Sequence, residues 1–310
     1  MCACRGASGF AHVSCLAEQA KILVAEAEEN NLGNEALSER FARWYTCSLC
    51  EQGHHGVVAC ALGWACWKTF VGRPETDMLR ITAMGLLGGG LLDADYHEDA
   101  LSVREAELSM KLRLGVPQGS ILTTQNNLAI AYDAVGRHEE ALRLKREVYS
   151  GRLKLNGREN RMTLIAAGNY ASSLVSLQRF EDAKLVLRKI LPVAQRVLGE
   201  NDILRLRMRK TLATALFADA FPEDSATLSA SLTDLREAVT TLEDVARIAR
   251  RVLGGAQPFV AEFELALRNS RAALGDAVAI DDFREAMSAM SRVEIRQGLP
   301  DACPAARTLS

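Results

Sequence analysis

The chain has 310 residues, 48% of them hydrophobic and only 5% aromatic, and its 37 basic and 39 acidic side chains leave a net charge of −2. That balance gives no reason to expect nucleic acid as a partner, and the longest apolar run, 56–67, falls short of the ~20 residues a membrane helix needs. The start lacks the charged segment and apolar core of a secretory signal, so the sequence reads as a cytoplasmic protein with no membrane partner, long enough for two domains.

The N-terminal end is cysteine-rich. Five of the eight cysteines, Cys2, Cys4, Cys15, Cys47 and Cys50, lie there, and with His12 they form three pairs in order: Cys2-x-Cys4, His12-x2-Cys15 and Cys47-x2-Cys50. Thiolates one or two residues apart can reach a single ion from one turn, and zinc takes four such ligands tetrahedrally, so the cluster reads as a metal site rather than a disulfide framework. The run from Cys2 through Gly6, Gly9, Phe10 and His12 to Cys15-Leu16, with Trp44 ahead of Cys47, resembles the RING-CH (RING-variant) zinc finger. In that family eight ligands bind two zinc ions in a cross-brace. The resemblance implies one site at Cys2, Cys4, Cys47 and Cys50, and half of a second at His12 and Cys15, whose missing pair is expected ahead of Met1. Residues 1–55 are thus expected to be a partial finger, with a helix-like stretch rich in Ala and Glu at 16–29.

Residues 56–78 read as a connecting helix. Within it Cys60 and Cys66, six apart among Trp64 and Trp67, have no chelating spacing and are expected to pack in a core. His54 and His55 read as a surface pair. The next helix contains Gly88-Gly89-Gly90, and each glycine beyond the one needed for close packing should weaken it by about 1 kcal/mol, so a helix that is broken there or late to order is expected.

Residues 79–275 carry a repeat. Asn127-Leu128-Ala129 recurs 42 residues on as Asn169-Tyr170-Ala171, Arg137-His138-Glu139-Glu140-Ala141 as Arg179-Phe180-Glu181-Asp182-Ala183, and Lys154-Leu155-Asn156-Gly157 as Arg196-Val197-Leu198-Gly199. Each copy reads as two helices, one at 122–134 ended by a left-handed Gly136, and one from His138 carrying Ala141, Leu144, Val148 and Tyr149 inward. Ala129 and Ala141 are small where the paired helices must approach. The period, the Asn-Asn-Leu-Ala and the Gly-Arg-x-Glu-Glu-Ala resemble the tetratricopeptide repeat of the kinesin light chain type. The pattern extends outward through Leu87, Ala100, Leu212-Ala213 and Ala238, with Gly115, Gly157, Gly199 and Gly254 closing about four units. An insert near 218–233, richest in Ser, Thr and Ala at 221–231, is expected to form a loop in the last unit. Residues 276–310 read as a terminal helix and tail, and Met287 and Met290 as core. The fold class is therefore all-α, a tetratricopeptide helical-hairpin solenoid preceded by a small zinc-finger domain.

Stacked hairpins line a surface with the first helix of each unit, and such surfaces bind extended peptides. In the resembling family the asparagines matching Asn127 and Asn169 face that groove. The third unit has Thr211 instead, preceded by Arg205, Arg207, Arg209 and Lys210, which suits an acidic peptide. No phosphate-binding glycine loop, catalytic triad or paired-carboxylate motif has a supporting context. Two functions are implied: an adaptor binding a peptide or protein partner, with zinc in the finger; or a RING-CH type ubiquitin ligase whose finger holds a ubiquitin-conjugating enzyme and whose repeats choose the substrate.

Overall fold

Local capping and glycine geometry set the helix boundaries. The computed structural model describes residues 12–219, 228–253 and 258–297, and among them it contains helices, one isolated bridge between Thr46 and Gly53, and no strand. Two compact units divide the chain, Met1–Ser173 and Leu174–Ser310.

In the first unit α1 (Val13–Glu29), α2 (Gly33–Phe41) and a 3-10 turn (Ala42–Trp44) precede α3 (Gly56–Phe70) and α4 (Met78–Asp93). Asp77 caps α4, its carboxylate accepting from the Leu79 and Arg80 amides at 2.8 and 3.2 Å, which satisfies donors that the first turn leaves open. Ala20, Val24, Phe41, Trp44, Cys66, Phe70 and Ala83 form one core. The described part of residues 1–55 therefore shares its apolar interior with α3 and α4 and has no separate core of its own. Arg73 reinforces the junction, donating to both carboxylate oxygens of Glu28 at 2.6 and 2.7 Å while lying over the Phe70 ring. That bidentate hydrogen bond outweighs partial burial and holds the Glu28 carboxyl below the usual range.

The hairpins follow: α5 (His97–Arg113), α6 (Gln118–Ala134), α7 (His138–Asn156) and α8 (Arg161–Ser176). Gly115, Gly136 and Gly157 all have positive φ, 62°, 81° and 77°, and turn the chain after α5, α6 and α7 as the spacing requires. Ala100, Ala129, Ala141 and Ala171 have no exposed surface, so the small residues of the repeat do sit at the helix contacts.

The glycine triple does not break its helix. α4 runs unbroken through Gly88-Gly89-Gly90 because two of the three are needed for contact: a Cβ at Gly90 would lie 2.6 Å from the Ala59 carbonyl oxygen of α3, and one at Gly88 would lie 2.9 Å from Nε of Arg104 on α5. Packing on both sides repays the backbone entropy that propensity alone counts against the segment.

The second unit contains α9 (Phe180–Val197), α10 (Ile203–Asp219), α11 (Leu228–Leu253) and α12 (Pro258–Gln297). Gly199 follows an extended Leu198 and not a left-handed turn. The insert is shorter than its composition suggests: residues 228–231 already belong to α11, and 220–227 lie outside the described residues, as do Gly254 and Cys303. Leu232 and Leu235 are buried against Ala277, which anchors the first turns of α11 on α12. Gly275 lies inside α12, so the closing and terminal helices are one; the side chains of Met287 and Met290 lie outside the described residues.

Candidate functional site

Burial of Leu128, Ala129 and Ala131 fixes the roll of α6 and leaves Asn126 and Asn127 half-buried at its edge. The same roll on α8, set by Ala166, Ala167, Ala171 and Leu174, presents Asn169. The two helices meet there: Asn169 donates from Nδ2 to Oδ1 of Asn126 at 2.8 Å. Asn126, not Asn127, is thus the direct partner of Asn169. The Asn-Asn doublet was the available signal, and only the helix-to-helix register chooses between its members. A second polar tie lies a few residues along, where the buried Lys145 of α7 binds Asp133 of α6 and donates to Ser173 of α8 at 2.7 Å. Around Asn127 and Asn169 the same faces carry exposed Thr123, Ile130 and Ser172, which gives a surface with apolar area and primary amides side by side. A primary amide offers both a donor and an acceptor, the two groups a peptide unit presents.

The cations of the third hairpin lie in the second unit. Arg209 donates to Asp244 of α11 at 3.3 Å, and Lys210 is paired with Glu262 of α12, so these two charges face carboxylates of neighbouring helices. Hydrogen bonding from Arg247, aided by Arg209, holds the Asp244 carboxyl below its usual range despite some desolvation. Arg205 is half-buried and Arg207 exposed on the same helix.

The cysteine loop is the second feature. Cys2 and Cys4 lie outside the described residues, while His12 and Cys15 sit exposed at the start of α1, where the Cys15 amide donates to the His12 carbonyl at 3.0 Å. Cys47 and Cys50 occupy a tight reversal closed at its neck by the Thr46–Gly53 bridge. The Cys47 amide donates to the Gln52 carbonyl at 2.9 Å, the Glu51 amide returns to the Cys47 carbonyl at 3.0 Å, and Glu51 itself is left-handed at φ 57°. The Leu49 amide lies 3.4 Å from Cys47 Sγ, a backbone donor aimed at sulfur. Among the described residues no group of three or more His, Cys, Asp or Glu is close enough to hold an ion.

His54 is not a surface residue. It is buried, its amide donates to the Tyr45 carbonyl at 2.9 Å, and desolvation lowers its imidazole pKa. His55 is exposed and 3.9 Å from Asp93. Cys60 and Cys66 are buried as expected, and burial pushes both thiols up, Cys66 furthest, which makes them inert packing residues.

Residues 121–161 match the family model described as tetratricopeptide repeat. None of the curated proteins matches the sequence. The solved structure of BtubC (BKLC) from P. vanneervenii is similar at TM-score 0.51 and 14% identity, over 97% of this chain and 99% of that one. The crystal structure of nearly identical TPR-like repeats from a kinesin light chain of Podosopora anserina aligns at TM-score 0.48 and 19% identity, over 78% of this chain and 98% of that one. At 14% identity the likeness to BtubC is one of fold alone. The chain contains a tetratricopeptide repeat, and its described helices form a tetratricopeptide-like all-helical array.

Proposed function

We propose that this chain, with a tetratricopeptide repeat at its centre, is a protein–protein interaction adaptor that holds a peptide segment of its partner along α6 and α8. The observation that carries this is the amide group of three, Asn126, Asn127 and Asn169, half-buried on adjacent first helices in a register that repeats with the sequence. Half-burial lets an amide hydrogen-bond a peptide backbone with less competition from water than a fully exposed side chain meets. The test is the double variant Asn127→Ala with Asn169→Ala, compared with the unaltered chain for partner binding and for helix content. Binding should fall about tenfold or more with helix content unchanged, as loss of one or two partly buried hydrogen bonds requires. Partner cross-links mapped only to α7 and α9 would sink the proposal. An acidic partner is the narrower expectation for the second unit. Arg205→Glu should weaken it and added salt should mimic the change, whereas a salt-insensitive interaction removes that part of the reading.

The N-terminal loop supports zinc as a structural ion. Cys47 and Cys50 fit the group: they occupy a tight reversal, and a backbone amide is aimed at one sulfur, the kind of outer contact that steadies a metal thiolate. Cys2 and Cys4 would complete the four, and the ion would supply cross-linking, not chemistry. Purified, reduced protein is expected to contain about one zinc per chain and Cys47→Ser to lose it; metal-free fresh protein would overturn the assignment. One observation favours a second reading, a RING-CH type ubiquitin ligase. Leu49, between the two cysteines, is 80% exposed, an apolar tip suited to a conjugating enzyme. Ubiquitin-chain formation with a purified conjugating enzyme, abolished by Leu49→Asp, is its test.

A further inference from the structure

A groove of about 320 Å³ lies on the first unit between α3, the end of α4 and the start of α5, away from the asparagines. Its floor is Cys60 and Leu91, both buried, and its walls are Val57, Ala61, Trp64 and Tyr96. The walls are unusually open for such side chains: Val57 is 73% exposed, Tyr96 54% and Trp64 43%. They continue an exposed stripe along α3, where Val57, Ala61, Trp64, Lys68 and Val71 recur at intervals of four and three residues, the spacing of a helix face that meets another chain. The volume is at the small end of the range of about 300–1,000 Å³ for ligand sites, room for one or two side chains.

Charge selects what could fill it. The polar member of the lining is Asp99, an exposed carboxylate in the first turn of α5, where the helix dipole favours negative charge, and it makes no ion pair among the described residues. Two open aromatic side chains and an unpaired carboxylate favour a cation carried on an apolar stem. We propose that this groove receives an arginine or lysine side chain from an apolar segment of a partner protein, with the stem against Val57, Leu91 and Trp64 and the charged head at Asp99. The site is separate from the amide surface on α6 and α8, so the two can be tested independently.

The experiment is selection of a displayed random dodecamer library on the immobilised full chain, with the enriched peptides then measured against Asp99→Asn, Asp99→Lys and Trp64→Ala, all checked for helix content. Expected are peptides carrying Arg or Lys beside Leu, Ile, Val, Met or Phe, weakened about tenfold by Trp64→Ala and by Asp99→Lys, less by Asp99→Asn, and unaffected by Asn127→Ala with Asn169→Ala. Should Trp64→Ala not fold, the two Asp99 variants decide alone. Enriched peptides without a cation, binding to both Asp99 variants as tight as to the unaltered chain, or no enrichment overturns the proposal. So does light scattering that shows the unaltered chain as a dimer and Trp64→Ala as a monomer, since the face then belongs to a second copy.

Discussion

The three consecutive glycines of α4 are chemically identical and physically different. At Gly90 an added Cβ would be 2.6 Å from the Ala59 carbonyl oxygen and 2.9 Å from the Cys60 Cα, both backbone and unable to yield. At Gly89 the nearest contact would be Nη2 of Arg104 at 3.4 Å, the far end of a flexible side chain. Gly90→Ala should therefore destabilise the protein by about 1–2 kcal/mol, the overpacking of α3 against α4 exceeding the helix-propensity gain. Gly89→Ala should be neutral or stabilise by up to about 1 kcal/mol, because there the propensity gain meets little opposition. Denaturant midpoints for the two variants check the pair; equal shifts would mean that helix propensity and not contact governs the segment.

Between elements, the least expected feature is a buried charge group joining α5 and α6. Glu107 takes hydrogen bonds from Arg104 at 2.7 Å and from Lys111 at 2.8 Å, and Thr124 of α6 donates to it at 3.1 Å. All four side chains are buried, and Gly88 of α4 leaves the space that Arg104 fills. Burial pushes the Glu107 carboxyl up, but Arg104 and Lys111 together outweigh it and leave the group below its ordinary value. A carboxyl lowered in the folded state contributes stability above its unfolded pKa, and that contribution is lost as pH falls through the lower folded value. Glu107→Gln should therefore lower stability at neutral pH by about 3 kcal/mol, since it leaves two buried cations short of their anion. It should also flatten the fall in stability on acidification below about pH 4.3, which urea unfolding across pH would read. Parallel curves for the two proteins would remove Glu107 from the acid response.

At the level of the whole molecule, the helices of the first unit pack chiefly on their neighbours in the chain, α3 on α4, α4 on α5, α5 on α6 and α6 on α7. Stability in such arrays is a sum of local terms, so damage should stay near its source. Ala129 has no exposed surface, and Ala129→Leu would overpack the contact of α6 with its neighbours. Amide hydrogen exchange should show the largest loss of protection in α6 and α7, and a smaller loss in α1 and α2. A uniform loss throughout Met1–Ser173 would show that this unit unfolds all at once.

The period of the repeat, the alanines at its contacts and the left-handed Gly136 were legible in the sequence because each is a local requirement: a turn needs positive φ, and a close approach needs a small side chain. The repeat register also pairs Asn127 with Asn169 in the sequence, whereas the hydrogen bond that the packing makes joins Asn169 to Asn126. Composition misled where a distant partner decides. Three glycines read as a weak helix until α3 and α5 are packed against α4, and residues 228–231 read as loop until Leu232 and Leu235 are seated on α12. His54 reads as surface until its amide donates to the Tyr45 carbonyl and the residue is buried. The pairing of Asn169 with Asn126, the commitment of Arg209 and Lys210 to Asp244 and Glu262, and the groove between Trp64, Tyr96 and Asp99 all depend on which helix faces meet. A one-dimensional pattern sets the face a residue takes on its own helix, and only the tertiary packing sets what stands opposite.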